Sequence, residues 1–224
     1  MLLDSQTASI IGGANNKPTM DPAKFDQLVK SRNIQYILEK HAGKLNPEQL
    51  DFCVKKSPSD AIEYALNLLT PKQFDFCRRK RPEEALENKD AAIKLSPRQF
   101  ALCVYKSPYK ALELVASKLS PLQLAFCVEE SPMAALLYAA ALLSPKQLAD
   151  CVKKSPWEAL LFAVDLISSK QLVDCASRCR VKLINYLRGN ANESPKLVRA
   201  LMAVVSQLPQ STRKAVAMVA AQSI

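Results

Sequence analysis

A cysteine returns along this chain at nearly constant intervals, and two prolines keep step with it. Cys53, Cys77, Cys103, Cys127, Cys151 and Cys175 are separated by 24, 26, 24, 24 and 24 residues. Pro47, Pro71, Pro97, Pro121 and Pro145 each precede a cysteine by six residues, and Pro58, Pro82, Pro108, Pro132 and Pro156 each follow one by five. The strings PEQLDFCVKKS at 47–57 and PKQLADCVKKS at 145–155 show how closely the units copy one another. Self-similarity at a fixed period of this length marks a stacked array, in which each unit buries its apolar face only against its neighbours.

Each unit reads as two short helices of about ten residues. The first opens on a cap followed by proline and, three residues after the cap, glutamine: Asn46-Pro47-Glu48-Gln49, Thr70-Pro71-Lys72-Gln73, Ser96-Pro97-Arg98-Gln99, Ser120-Pro121-Leu122-Gln123 and Ser144-Pro145-Lys146-Gln147. A sixth copy, Ser168-Ser169-Lys170-Gln171, lacks the proline. The cap oxygen accepts from an orphan backbone N–H, proline at the first helical position loses no useful donor, and glutamine reaches back to the N–H of the cap. The same glutamines would suit a base-reading code, but the cap accounts for them without one.

The triplets Leu50-Cys53-Val54, Phe100-Cys103-Val104 and Leu148-Cys151-Val152 recur at i, i+3, i+4 and face the core. The helix must end before the next proline, because a residue preceding proline is pushed out of the α region. That residue is Ser57, Arg81, Ser107, Ser131 or Ser155, and the serines are expected to cap the second helix. Ala61, Ile62, Ala65 and Leu66, like Ala159, Leu160, Ala163 and Val164, then turn to the core.

The fold predicted is all-α: an α-solenoid of six to seven tandem two-helix units, a curved rod on the order of 60 Å long at ~10 Å per layer. Residues 1–20 read as a tail, 21–188 as the solenoid and 189–224 as capping helices. Residues 21–45 form a degenerate first unit, with Leu28 in the cysteine slot. This organisation resembles α-solenoids of the HEAT and armadillo class, and in period the leucine-rich repeat variant family. The resemblance spans residues 22–188, is one of organisation rather than motif, and implies no function.

Seven cysteines do not predict disulfides here. Equivalent positions in adjacent layers lie on the order of 10 Å apart, beyond the ~7 Å that a disulfide tolerates. Only Cys175 and Cys179, at i and i+4, are close enough in sequence to meet. Small buried thiols at tight helix contacts are the simpler reading, and reduced thiols place the chain in the cytosol or nucleus. The single histidine, His41, offers no zinc spacing. No secretory signal is legible, and the longest apolar run, Ala134 to Leu143, is too short to span a bilayer.

Little in the chain suggests catalysis. Its four glycines, at 12, 13, 43 and 189, build no phosphate-cradling loop. Asp150, Asp165 and Trp157 could imitate the carboxylate and aromatic of a base-modifying solenoid enzyme. Asp150, however, fills a slot that holds Phe or Leu in the four preceding units and reads as a solvated variant of it. The expectation is a non-enzymatic binding module without cofactor or metal.

Charge gives the functional lead. The net charge is +10, distributed as +1 over residues 1–43, +3 over 44–106, −1 over 107–168 and +7 over 169–224. The turn between the two helices carries Lys55, Lys56, Arg79, Lys80, Arg81, Lys106, Lys153, Lys154 and Arg178, with Arg180, Lys182 and Arg188 just beyond. Arg78 replaces the valine usual in its core-side slot, and is expected to snorkel outward or to mark a contact point. Helix N-termini open at the same edge, and Tyr105, Tyr109 and Trp157 flank it as candidate stacking residues. Cations with aromatics on one ridge suit a nucleic-acid backbone, RNA or DNA. Glu129-Glu130 interrupts the ridge, and a lysine in the last turn also complements its own helix dipole without any partner. The alternative is a protein-interaction scaffold whose groove holds a peptide or an acidic partner.

Overall fold

The computed structural model describes residues 19–190 and 195–222. Among them the chain is 82% helical, with 17 α-helices and no strand, and helices consecutive in the chain pack on one another: the architecture is an all-α repeat solenoid. The described residues divide into two compact units, one up to residue 84 and the other from residue 85.

The first unit holds α1 (Pro22–Ser31), α2 (Ile34–His41), α3 (Pro47–Lys56), α4 (Pro58–Tyr64), α5 (Pro71–Lys80) and the start of α6 (Pro82–Glu87). The second holds the rest of α6, α7 (Lys89–Lys94), α8 (Pro97–Lys106), α9 (Pro108–Val115), α10 (Pro121–Glu130), α11 (Pro132–Tyr138), α12 (Pro145–Lys154), α13 (Pro156–Phe162), α14 (Ser169–Arg178), α15 (Arg180–Asn190), α16 (Pro195–Ala203) and α17 (Gln210–Gln222). In the second unit the first helices of successive repeats, α8, α10, α12 and α14, pack side by side, as do the second helices α9, α11 and α13. Beyond them α17 packs on α15 and α16.

Six helices of ten residues begin at the expected caps, and all six caps form the reciprocal box: α3, α5, α8, α10, α12 and α14. At Ser144 the cap N–H donates to Gln147 Oε1 at 3.0 Å while Gln147 N–H donates to Ser144 Oγ at 3.3 Å. In the first unit the glutamine amide has a second task. Gln49 Nε2 donates to the Met20 carbonyl at 3.2 Å, and Gln73 Nε2 to Asp51 Oδ1 at 3.4 Å, so each tethers its helix to the preceding segment.

The serines before the second proline do not cap the following helix. Ser57, Ser107, Ser131 and Ser155 sit at φ near −139 to −132° and ψ of 64 to 81°, and none makes a side-chain cap bond. Each is instead a one-residue hinge satisfied through its backbone. In the last repeat Ser155 N–H donates to the Cys151 carbonyl at 2.7 Å, and its own carbonyl accepts from Ala159 at 3.1 Å. Their ψ lies far from the 155–167° of the six boxed caps, so the hydroxyl is not presented to the next turn.

The second helices that open on a proline are also shorter than ten residues. α4, α11 and α13 have seven, α9 eight and α6 six. Their tails wind into 3-10 turns at 116–118 and 140–142, or into hydrogen-bonded turns at Ala65–Leu68 and Ala163–Leu166. Tightening to i+3 bonds ends the helix and swings the chain toward the next cap. The two extra residues of the second repeat produce a different solution: α6 stops, Asn88 caps α7 by accepting from Ala91 N–H at 3.0 Å, and α7 closes with Leu95 N–H donating to the Ala92 carbonyl at 3.3 Å.

Ala61, Ala85, Ala111, Ala135 and Ala159 are fully buried, each followed by a buried Ile62, Leu86, Leu112, Leu136 or Leu160. Each such aliphatic side chain contributes roughly 1.5–3 kcal/mol by leaving water. The six ladder cysteines are buried and Cys179 is half-buried, and none of the seven forms a disulfide. The triplets hold at Cys and Val, but Phe100 and Leu148 are only half-buried. In α1 the buried residue is Phe25, whereas Leu28, expected in the cysteine slot, is half-buried. The tail expected over residues 1–20 lies outside the described residues except for 19 and 20. Met20 is no tail: it is buried and its N–H donates to the Lys44 carbonyl at 2.6 Å.

Candidate nucleic-acid interface

The basic residues occupy the last turns of the first helices, where proline-enforced hinges expose them, but they are not equivalent. In the first unit nearly all are engaged locally. Lys55 pairs with Asp51 at 2.6 Å, and its ammonium holds that carboxyl below the usual carboxylate range. Lys56 lies 5.8 Å from the centroid of the Phe52 ring. Arg79 pairs with Asp75 at 3.0 Å, and Arg81 approaches Glu83 and Glu84 at 3.7 and 3.9 Å. Lys56 and Lys80 are the members of this cluster that make no ion pair among the described residues.

Arg78 neither snorkels outward nor offers a surface contact. It is only 6% exposed, its guanidinium pairs with Asp75, and its Nε has no hydrogen-bond partner. A buried guanidinium cannot reach an external phosphate, so its place in the ridge is internal.

The second unit differs. Lys153 and Lys154 at the end of α12, and Arg180 and Arg188 on α15, are exposed and make no ion pair among the described residues. Arg178 reaches Asp174 only at 3.6 Å, on the rim. Lys182 places its ammonium 4.6 Å from the centroid of the Trp157 ring. Lys106 ends α8 and is exposed, and Glu129-Glu130 is exposed at the end of α10.

The three aromatics do not form one stacking platform. Tyr105, on α8, packs edge-on against Phe126 of α10 at 4.6 Å. Tyr109, on α9, meets Tyr138 of α11 at 5.8 Å, with the two hydroxyls 3.2 Å apart, an interaction that pushes the Tyr138 phenol up to about 12. Trp157, on α13, packs edge-on against Tyr186 of α15 at 5.4 Å. Tyr109 and Trp157 thus belong to the second-helix layer, where a contact at a separation of 29 residues recurs: Gln35 Nε2 donates to Tyr64 Oη at 3.3 Å in the first unit in the same register. Tyr186 went unremarked in the sequence, although that offset, repeated in three places, was there to find. Asp51, Asp75 and Asp174 each pair with the cation four residues on, whereas Asp150 and Lys154, at the same spacing, form no ion pair among the described residues.

The helix N-termini add little. The second helices of six to eight residues all begin with proline, which removes one donor and leaves short dipoles. The carboxylates considered for catalysis lie in separate surroundings. Asp150 is exposed on the rim of an open groove of about 410 Å³ between α10 and α12, with Glu129, Lys146 and Lys154. Asp165 pairs with Lys196 at 3.0 Å in another groove, beside α16. Among the described residues no group of three or more His, Cys, Asp or Glu side chains could hold a metal ion, and no helix is long and apolar enough to cross a membrane. The chain matches no protein-family model, no curated protein and no solved structure.

Proposed function

We propose that this chain is a non-enzymatic helical-repeat module that binds a nucleic-acid backbone through the basic helix ends of its second unit, centred on α12, α14 and α15. One observation carries the reading: Lys153, Lys154, Arg180 and Arg188 are exposed and make no ion pair among the described residues, and the last two lie in the segment 169–224 that carries +7 of the net charge. Cations that stabilise their own fold are paired, as Lys55 and Arg79 are; unpaired ones are available to phosphates. The groove between α10 and α12, with acids and bases alternating on its rim, does not select an acidic peptide. The ladder of core thiols without a disulfide favours a reducing compartment, the cytosol or the nucleus.

Binding of a labelled oligonucleotide, followed by fluorescence anisotropy at several salt concentrations, tests this. Each phosphate contact contributes about 0.7–0.9 to the slope of log K against log salt. Changing Lys153, Lys154, Arg180 and Arg188 together to glutamine is expected to flatten that slope by ~3. Changing Lys55, Arg79 and Arg81 is expected to alter it much less. Absence of salt-sensitive binding by the parent would end the nucleic-acid reading in favour of the protein scaffold.

A further inference from the structure

Trp157 is the single tryptophan of the chain. It is half-buried on α13, three and four residues after Lys154 and Lys153. The side chain over its ring belongs to Lys182, itself exposed, with the ammonium 4.6 Å from the ring centroid. The indole is steadied by the ring of Tyr186 at 5.4 Å and 78°. Arg180 lies on the same turn of α15 as Lys182.

We infer that the ligand of this surface is a single-stranded nucleic acid, one base of which displaces the Lys182 ammonium and stacks on Trp157. This rests on the backbone-binding reading above. An exposed cation over an indole is a weak contact, whereas a stacked base covers more of the ring and gains more. The exchange also releases the Lys182 ammonium beside the ring, where it meets a phosphate flanking the stacked base. A duplex keeps its bases paired and stacked inside, and offers the indole nothing but phosphate and sugar. Tyr105 and Tyr109, each engaged with a neighbouring ring and with no cation over it among the described residues, are not part of this pocket.

The experiment uses the intact chain and its own tryptophan. Oligo-dT, oligo-U and a blunt DNA duplex of equal length are titrated at low salt, with anisotropy of an end label reporting binding and Trp157 emission reporting stacking. Both single strands are expected to quench the emission strongly; the comparison of dT with U says whether DNA, RNA or both are accepted. The duplex is expected to bind through charge with little change in emission. Trp157→Leu is expected to weaken single-strand binding by about tenfold and duplex binding by less than twofold. Lys182→Gln, which leaves the indole in place, is expected to retain the quench while losing one contact from the salt slope. Anisotropy that reports single-strand binding with unchanged Trp157 emission overturns this inference and leaves backbone binding standing. No salt-sensitive binding by any of the three overturns both.

Discussion

Replacing Arg78 by valine is expected to stabilise this protein, although it deletes an ion pair. The same slot holds Val54, Val104, Val128 and Val152 in other repeats, all buried. Arg78 is buried to the same degree and brings a guanidinium whose Nε finds no acceptor. Its partner Asp75 is half-buried and also pairs with Arg79 at 3.0 Å, so removing Arg78 leaves no orphaned acid. Exchanging a buried ion pair for apolar packing is often neutral or favourable by about 1–4 kcal/mol. Valine is smaller, and a residual void of ~40 Å³ would subtract about 1 kcal/mol at ~24 cal/mol per Å³. The net expectation is a gain of roughly 1 kcal/mol.

The opposite end of the pair behaves oppositely. Asp75→Ala strands a guanidinium in the core and is expected to destabilise by about 3 kcal/mol. The double variant should fall near Arg78→Val alone, because the penalty of the single acid deletion disappears with the charge it stranded. Thermal unfolding followed by circular dichroism separates these outcomes, at about 2–4 °C per kcal/mol for a chain of this size. A Tm for Arg78→Val lowered as far as that of Asp75→Ala would refute the reasoning, since it would mean that the guanidinium contributes more than its burial costs. Arg78→Val should also leave oligonucleotide binding unchanged.

The ladder thiols should label slowly in the native state, with Cys179 first, because the other six are buried and burial pushes Cys53, Cys127 and Cys175 up to about 11 and Cys77 to about 12. The sign for stability follows: thiols whose folded pKa exceeds the unfolded value of 9.0 leave stability intact below pH 9 and remove it as the pH rises from there toward 11, where only the unfolded chain ionises. An unfolding midpoint flat across that window, or equally rapid labelling of all seven thiols, contradicts the placement. Ser144→Ala removes one arm of a capping box and should cost about 1 kcal/mol in urea unfolding, whereas Ser155→Ala, at a hinge without a cap bond, should cost markedly less.

What the chain determined by itself is local. Period, cap and proline act over three to six residues, and the box at Ser144 is made by Ser144 and Gln147, three residues apart. The first helices, the buried Cys and Val positions and the array class were therefore legible. So, with closer attention, was the pairing of Lys55 with Asp51, which spans one helical turn. Tertiary structure decided the rest, because burial and cross-layer contacts depend on what stacks above and below. A hydroxyl at Ser155 is a good cap only if ψ presents it to the next turn, and the tight hinge between α12 and α13 sets ψ at 65° instead. Arg78 reads as a surface cation until the packing of its slot closes over it. Lys182 finds Trp157 across 25 residues, and Trp157 finds Tyr186 across 29, at separations fixed by the height of one layer rather than by any property of the residues between.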